Sequence, residues 1–186
     1  IHLWILGNSP APVRSTRMSV GVTQESRFVT PLHLDLPLTI SPAIVSPTRR
    51  LLESKLAPVL DDDDAVFRVA MAAHELLENA AKYASDGKAR LEVEVSAHQE
   101  DALVRVVVTN NAVREHIDQL AACFAEMKSE SDAMAHYFAL MRRNAKNGSI
   151  SRLGLARVRA EGEMEIAVDI DGQTVKVVAS AIVPHA

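Results

Sequence analysis

The stretch from Asp61 to Val95, DDDDAVFRVAMAAHELLENAAKYASDGKARLEVEV, restricts the fold more than any other part of the chain. Its first two thirds place apolar residues at helical spacing, and its last third alternates apolar and polar as a half-buried strand does. At about 100° per residue, Val66, Ala70, Ala73, Leu77, Ala80 and Ala84 project to one side, while Arg68, Glu75, Asn79, Lys82 and Asp86 fall within a sector of roughly 60° opposite them. Such a helix needs a partner to cover its apolar stripe, and the alanines let a sheet come close. The helix is predicted from about Ala65 to Ala84, ended by the turn signal SDGK. The aspartates Asp61 to Asp64 read either as a metal-binding run or as caps for the free N–H groups of the helix, and their position favours capping.

The flanking sequence supplies that sheet. RFVTPLHLDLPLTIS, Arg27 to Ser41, alternates at Leu32, Leu34, Leu36 and Leu38, and Pro31 and Pro37 confine it to an edge. SPTRRLLESKLAPVL is predicted as a helix opened by Ser46 with Pro47 at its first position, closing near Pro58. Beyond the central helix, ARLEVEVSAH and ALVRVVVTN are strands joined by a polar QED turn. Val113 to Lys146 is helical in pattern with a break around KSESD, NGS is a loop, and ISRLGLARVRAEGE is a short helix. EMEIAVDIDGQTVKVVASAIV is a hairpin turning at Asp171-Gly172. The expected fold is α/β in composition, an α+β two-layer sandwich: a mixed, mostly antiparallel sheet with helices packed on one face.

At 186 residues the chain is long enough for one domain with a real core. That domain is expected over 27–186, with a helical insert at about 113–146 and an N-terminal arm over 1–26. The opening IHLWILGNSPAPVRSTR has neither the basic start nor the apolar length of an export signal. Met18 follows its Pro/Ser/Arg stretch, and the domain proper is expected to begin near there. The first 17 residues read as a processed arm or upstream translation, with HLWIL able to pair as an edge strand on a second copy. Apolar runs are strand-sized, which argues against a membrane span. A net charge of -4 and 4% aromatic residues leave little to bind phosphate backbones or stack bases, so nucleic acid is not an expected partner. The single cysteine, Cys123, makes no internal disulfide and fits a reducing cytoplasm. His33, His98, His116 and His136 have no ligand spacing, and His74, at the margin of the apolar face, reads as structural.

The polar stripe of the central helix has a bland reading as a solvated face. Its mixture of carboxylate, carboxamide and ammonium in successive turns also supplies the groups that orient a nucleophile, hold Mg²⁺ and neutralise phosphate. The chain has no Walker A, GxGxxG or HExxH pattern to provide a rival site. ELLENAAKYA resembles the N-box of the GHKL superfamily, the Bergerat-like ATP-binding fold of histidine kinases, gyrase-type ATPases and anti-sigma factor serine kinases; the motif falls on Glu75, Asn79, Ala80, Lys82 and Tyr83. The order of elements from about Ser41 to Val183 is similar as well.

This resemblance implies that Asn79 coordinates Mg²⁺ bridging the phosphates of ATP, that Lys82 lies near them, and that Glu75 is the catalytic base. The family's DxGxG box corresponds to VTNNAVREH, with Asn110 in place of the adenine-binding Asp and neither glycine present. Its GxGLG box corresponds to SRLGLARVRAE, which keeps Leu153, Gly154 and Leu155 and offers Arg152 as a charged contact. Altered second and third boxes in a small domain without a phosphoacceptor helix pair resemble anti-sigma factor serine kinases and SiaB-type stand-alone protein kinases. The function so implied is a bacterial signalling regulator that binds ATP with Mg²⁺ and phosphorylates Ser or Thr of a small regulatory partner protein. The alternative is a catalytically inactive GHKL-like module that binds a regulator or forms a homodimer. The insert carries Cys123, Phe124, Met127, Met134, Tyr137, Phe138 and Met141, which suit either a docking surface or packing on the sheet.

Overall fold

The computed structural model describes residues 30–147 and 153–184; the expected arm over 1–26, Gly148 and Ser149 of the NGS loop, and Arg152 lie outside them. Five strands, β1 (Leu32–Thr39), β2 (Ala84–His98), β3 (Asp101–Ala112), β4 (Glu165–Asp171) and β5 (Thr174–Val183), form one sheet in the order β1-β2-β3-β5-β4. Every neighbouring pair is antiparallel, so the sheet expected to be mixed is wholly antiparallel among the described residues. Five helices complete the fold among the described residues: α1 (Pro42–Leu60), α2 (Asp63–Tyr83), α3 (Arg114–Ser129), α4 (Ala133–Asn147) and α5 (Leu153–Ala160). Among the described residues no helix is long and apolar enough to cross a membrane.

The central helix α2 lies on one face of the sheet across β2, β3 and β5, flanked by α1 and α5, and α4 packs on α5. Its alanine-rich side is buried at Ala65, Ala70, Ala72, Ala73 and Ala80, with Val69, Leu76 and Leu77 filling the space between. The facing strands contribute Leu91, Val93, Val95, Val104, Val106, Val108, Val177 and Ala179 to the same core. Period-2 alternation puts Arg90, Glu92, Glu94 and Arg105 on the other face. β1 is an edge strand as expected; its four leucines turn half-buried toward the core while His33, Asp35, Pro37 and Thr39 are exposed.

Asp62 is the N-cap of α2, accepting from the backbone N–H groups of Asp64 at 2.9 Å and Ala65 at 3.3 Å, and Asp63 and Asp64 occupy the first turn. Asp61, with φ of 50°, ends α1 in the left-handed region. The aspartate run therefore punctuates two helices.

Two sequence-based boundaries move. α1 opens five residues earlier than expected, with Ser41 at its N-cap and Pro42 in the first turn, and both Pro47 and Pro58 lie inside it. The carbonyls these prolines deprive of a donor belong to Ala43 and Ser54, both on exposed turns where water can serve instead. The SDGK segment belongs to β2: pairing with β3 shifts between Ala84 and Ala89, and Gly87 takes φ of 65° in the bulge. The carbonyl of Gly87 accepts from Ile40 N–H at 2.9 Å, which ties the bulge to the end of β1. The insert is a helix pair, and Arg159 of α5 anchors its corner by donating to the carbonyls of Met127 at 2.6 Å and Glu130 at 2.8 Å.

Candidate functional site

Glu75, Asn79 and Lys82 occupy successive turns on the side of α2 that faces α5 and solvent. What brings α5 against them is the absence of a side chain at Gly154. A Cβ there would lie 2.8 Å from Glu75 Oε2 and 3.6 Å from Asn79 Nδ2. One turn further along α5, Arg157 Nη1 donates to Glu75 Oε1 at 3.0 Å while its Nε donates to Glu161 at 2.6 Å. The Glu75 side chain is only 13% exposed, so both carboxylate oxygens are turned toward α5. The bond to Glu161, followed by the one to Glu75, raises the pKa of Arg157 beyond its ordinary value against partial burial. Tyr137 reaches the same place from α4; burial pushes its phenol up, and Glu161 adds to the effect.

Two concavities meet at this helix. A small cavity of about 80 Å³ lies between α2 and the sheet, walled by Leu76, Ala80, Val108 and Val177 and roofed by His116, Gln119, Leu120 and Cys123 of α3. An open cleft of about 530 Å³ lies on the other side, bounded by Glu75, Glu78, Lys82, Tyr137 and Arg157. Asn79, Tyr83 and Gly154 border both. The result is a mostly apolar chamber that opens beside a cleft carrying charges of both signs.

Asn110 faces the chamber. Its Nδ2 donates to the carbonyl of Asn111 at 3.1 Å, which leaves its side-chain oxygen as an acceptor on the chamber wall. Strand alternation sends Asn111 to the opposite face, where Nδ2 donates to Asp86 at 3.0 Å and Oδ1 accepts from Thr174 at 3.1 Å. Tyr83 meets His116 edge-on, with ring centroids 4.9 Å apart, and so joins the end of α2 to the roof. His116 Nδ1 is buried without a hydrogen-bond partner.

The structure brings Glu75, Asn79, Lys82, Asn110 and Gly154 together around the two concavities. Lys82 is exposed at the cleft rim, its Nζ 5.0 Å from the Tyr83 ring centroid. Two members of the predicted polar stripe do not join them: Arg68 pairs with Glu163, and Asp86 lies past the helix in the β2 bulge. The sequence reading missed Arg157, Tyr137 and His116. Arg157 had a usable signal, since it follows Gly154 by three residues and precedes Glu161 by four, one face of a short helix. The insert's apolar residues divide: Met127 and Tyr137 are buried, Phe124 and Met141 half-buried, and Met134 and Phe138 exposed on α4.

No protein-family model matches the chain, and no curated protein does. Among solved structures it is similar to a chain in the crystal structure of the SiaB–SiaC complex from Pseudomonas aeruginosa, with a TM-score of 0.57 and 14% sequence identity. The match covers 81% of this chain and 89% of that one. At this identity the likeness is one of fold, and the two-layer sandwich is the shared feature.

Proposed function

We propose that the chain is a signalling regulator that binds ATP with Mg²⁺ along α2 and phosphorylates Ser or Thr of a small partner protein. The observation that carries this reading is the junction at Asn79 and Gly154, where an apolar chamber with an acceptor on its wall meets a charged cleft. The residues present fit the nucleotide and metal. The Asn79 carboxamide has no hydrogen-bond partner among the described residues, and its oxygen suits a cation that takes few protein ligands beside phosphate and water. The Asn110 oxygen suits an exocyclic amino group of the base.

Bound ATP would supply the phosphoryl group. This chain's residues would position and neutralise: Asn79 holds the metal, Lys82 offsets phosphate charge, and Glu75 takes the proton of the partner's hydroxyl. The similar chain was crystallised in a two-protein complex, which supports a protein partner here. Met134 and Phe138, exposed one turn apart on α4 beside the cleft residue Tyr137, are the surface on which such a partner would sit.

A second reading has its own observation. Glu75 is held by Arg157, and α3 roofs the chamber, as expected of an inactive module that binds a regulator or a second copy of itself. Calorimetric titration of ATP with and without Mg²⁺, on the wild type and on Asn79→Ala, separates the two. Magnesium-dependent binding that disappears in a variant with unchanged thermal unfolding is the expected result. Equal affinity in the variant would overturn the assignment of Asn79, and no binding to either protein would favour the inactive module.

A further inference from the structure

Arg157 is the cation the sequence reading left out, and its surroundings define a task. It has five N–H donors; one is engaged by Glu161 and one by Glu75, which leaves three without a partner among the described residues. Its side chain is 37% exposed, so those donors are reachable from solvent. The charged groups bordering the cleft are Glu75, Glu78, Lys82 and Arg157, and Glu78 is already beside His74 at 3.3 Å. Of the two cations, Arg157 is thus already engaged by a carboxylate, and a polyanion entering the cleft would find it occupied while Glu75 keeps its hold. A carboxylate held by a guanidinium is also a weaker base toward a hydroxyl, because the bond favours its charged form.

Both difficulties have one resolution. We propose that Arg157 is a phosphate-binding residue held in reserve by Glu75: on nucleotide binding it exchanges the carboxylate for the terminal phosphate, and the exchange frees Glu75. Glu161, four residues along the same helix, keeps the guanidinium in place during the exchange, because its bond is to Nε and need not break. Arg157 then acts on the nucleotide directly, by charge-assisted hydrogen bonds of the kind a planar guanidinium makes to phosphate. The exchange is also selective: a ligand with a base but no phosphate leaves the pair closed. This inference rests on the nucleotide reading above and adds to it a residue, a phosphate contact and an order of events.

The test compares adenosine with ATP·Mg²⁺ by calorimetry on the wild type, Arg157→Gln, Arg157→Lys, Glu75→Gln and the double variant Glu75→Gln/Arg157→Gln. Arg157→Gln is expected to weaken ATP on the order of tenfold while leaving adenosine unchanged, with Arg157→Lys in between. Glu75→Gln, which removes the competitor, is expected to tighten ATP severalfold, and that gain is expected to vanish once Arg157 is also Gln. Thermal unfolding of each variant separates a lost contact from a lost fold. If adenosine and ATP bind the wild type but Arg157→Gln weakens both equally or neither, the phosphate role is refuted and the nucleotide reading stands. If Glu75→Gln tightens ATP equally with and without Arg157, the exchange is refuted. If neither ligand binds the wild type, the nucleotide reading falls and takes this inference with it.

Discussion

Gly154 and Glu75 approach so closely that a Cβ on the glycine would fall 2.8 Å from a carboxylate oxygen of the glutamate. The obstructing atom is the end of a flexible side chain, so it can move aside. Alanine is also favoured over glycine within a helix by about 1 kcal/mol. Gly154→Ala is therefore expected to keep stability within about 1 kcal/mol of the wild type by urea denaturation. The same change displaces the Glu75 carboxylate from Arg157, and a reduced ATP affinity in a fully folded variant is the second readout.

Gly162→Ala should behave in the opposite way. A Cβ there would sit 2.4 Å from the backbone carbonyl oxygen of Val158 and 3.2 Å from Met71 Cε, and a carbonyl in the last turn of α5 has nowhere to go. A loss of about 1–3 kcal/mol is expected, visible as a melting temperature several degrees lower. An unchanged melting temperature would mean that this turn is more compliant than its packing indicates.

The two sides of α2 separate cleanly by mutation. Leu77 of α2 is fully buried in the core, and Leu77→Ala is expected to cost about 2–5 kcal/mol in chemical denaturation. Lys82→Ala, at the exposed rim, is expected to stay within about 0.5 kcal/mol.

Asp86 gives a pH prediction with a definite sign. The hydrogen bond from Asn111, and then the backbone N–H of Lys88, hold its carboxyl below the ordinary value of 3.8. A depressed folded-state value means that the stabilisation is present above the unfolded value and is lost as pH falls through the lower folded one, a window lying below 3.8. Carboxyl NMR titration should find Asp86 moving up toward 3.8 in Asn111→Ala. A titration midpoint unmoved by that substitution would remove Asn111 as the main cause.

Much of this fold is written in local pattern. The leucine alternation of β1 with its prolines, the alanine stripe of α2 and the Asp171-Gly172 turn, where Gly172 takes φ of 60°, are each periodicities or single-residue conformational demands. The errors came where two local signals were equivalent. Ser41-Pro42 and Ser46-Pro47 are both helix openings in sequence, and the choice between them fell to packing, since the earlier start buries Val45 in the core. Asp86 follows the helical projection by arithmetic, yet Ala84 pairs with Ala112 and the chain has already entered the sheet. The candidate site divides likewise: Glu75, Asn79 and Lys82 share one helix and could be read together. Arg157 lies 82 residues from the carboxylate it holds, a contact that only the packing of α5 on α2 creates.

The way α3 is attached sets the tempo at which the chamber can be entered. Of the residues in α3, Ile117 and Met127 are the buried ones, and its far corner is held by the two hydrogen bonds from Arg159. With Leu120 and Phe124 only half-buried and Glu126 paired to Arg143 across the helix pair, α3 is expected to open at a lower free energy than the sheet beneath it, so its amides should exchange with solvent sooner than those of β3. A molecule too large to pass from the cleft between Asn79 and Gly154 into the chamber of about 80 Å³ would need such an opening. Its association is then gated: the observed rate rises with concentration and levels off at the opening rate of α3, and cutting the tether with Arg159→Ala lifts that plateau.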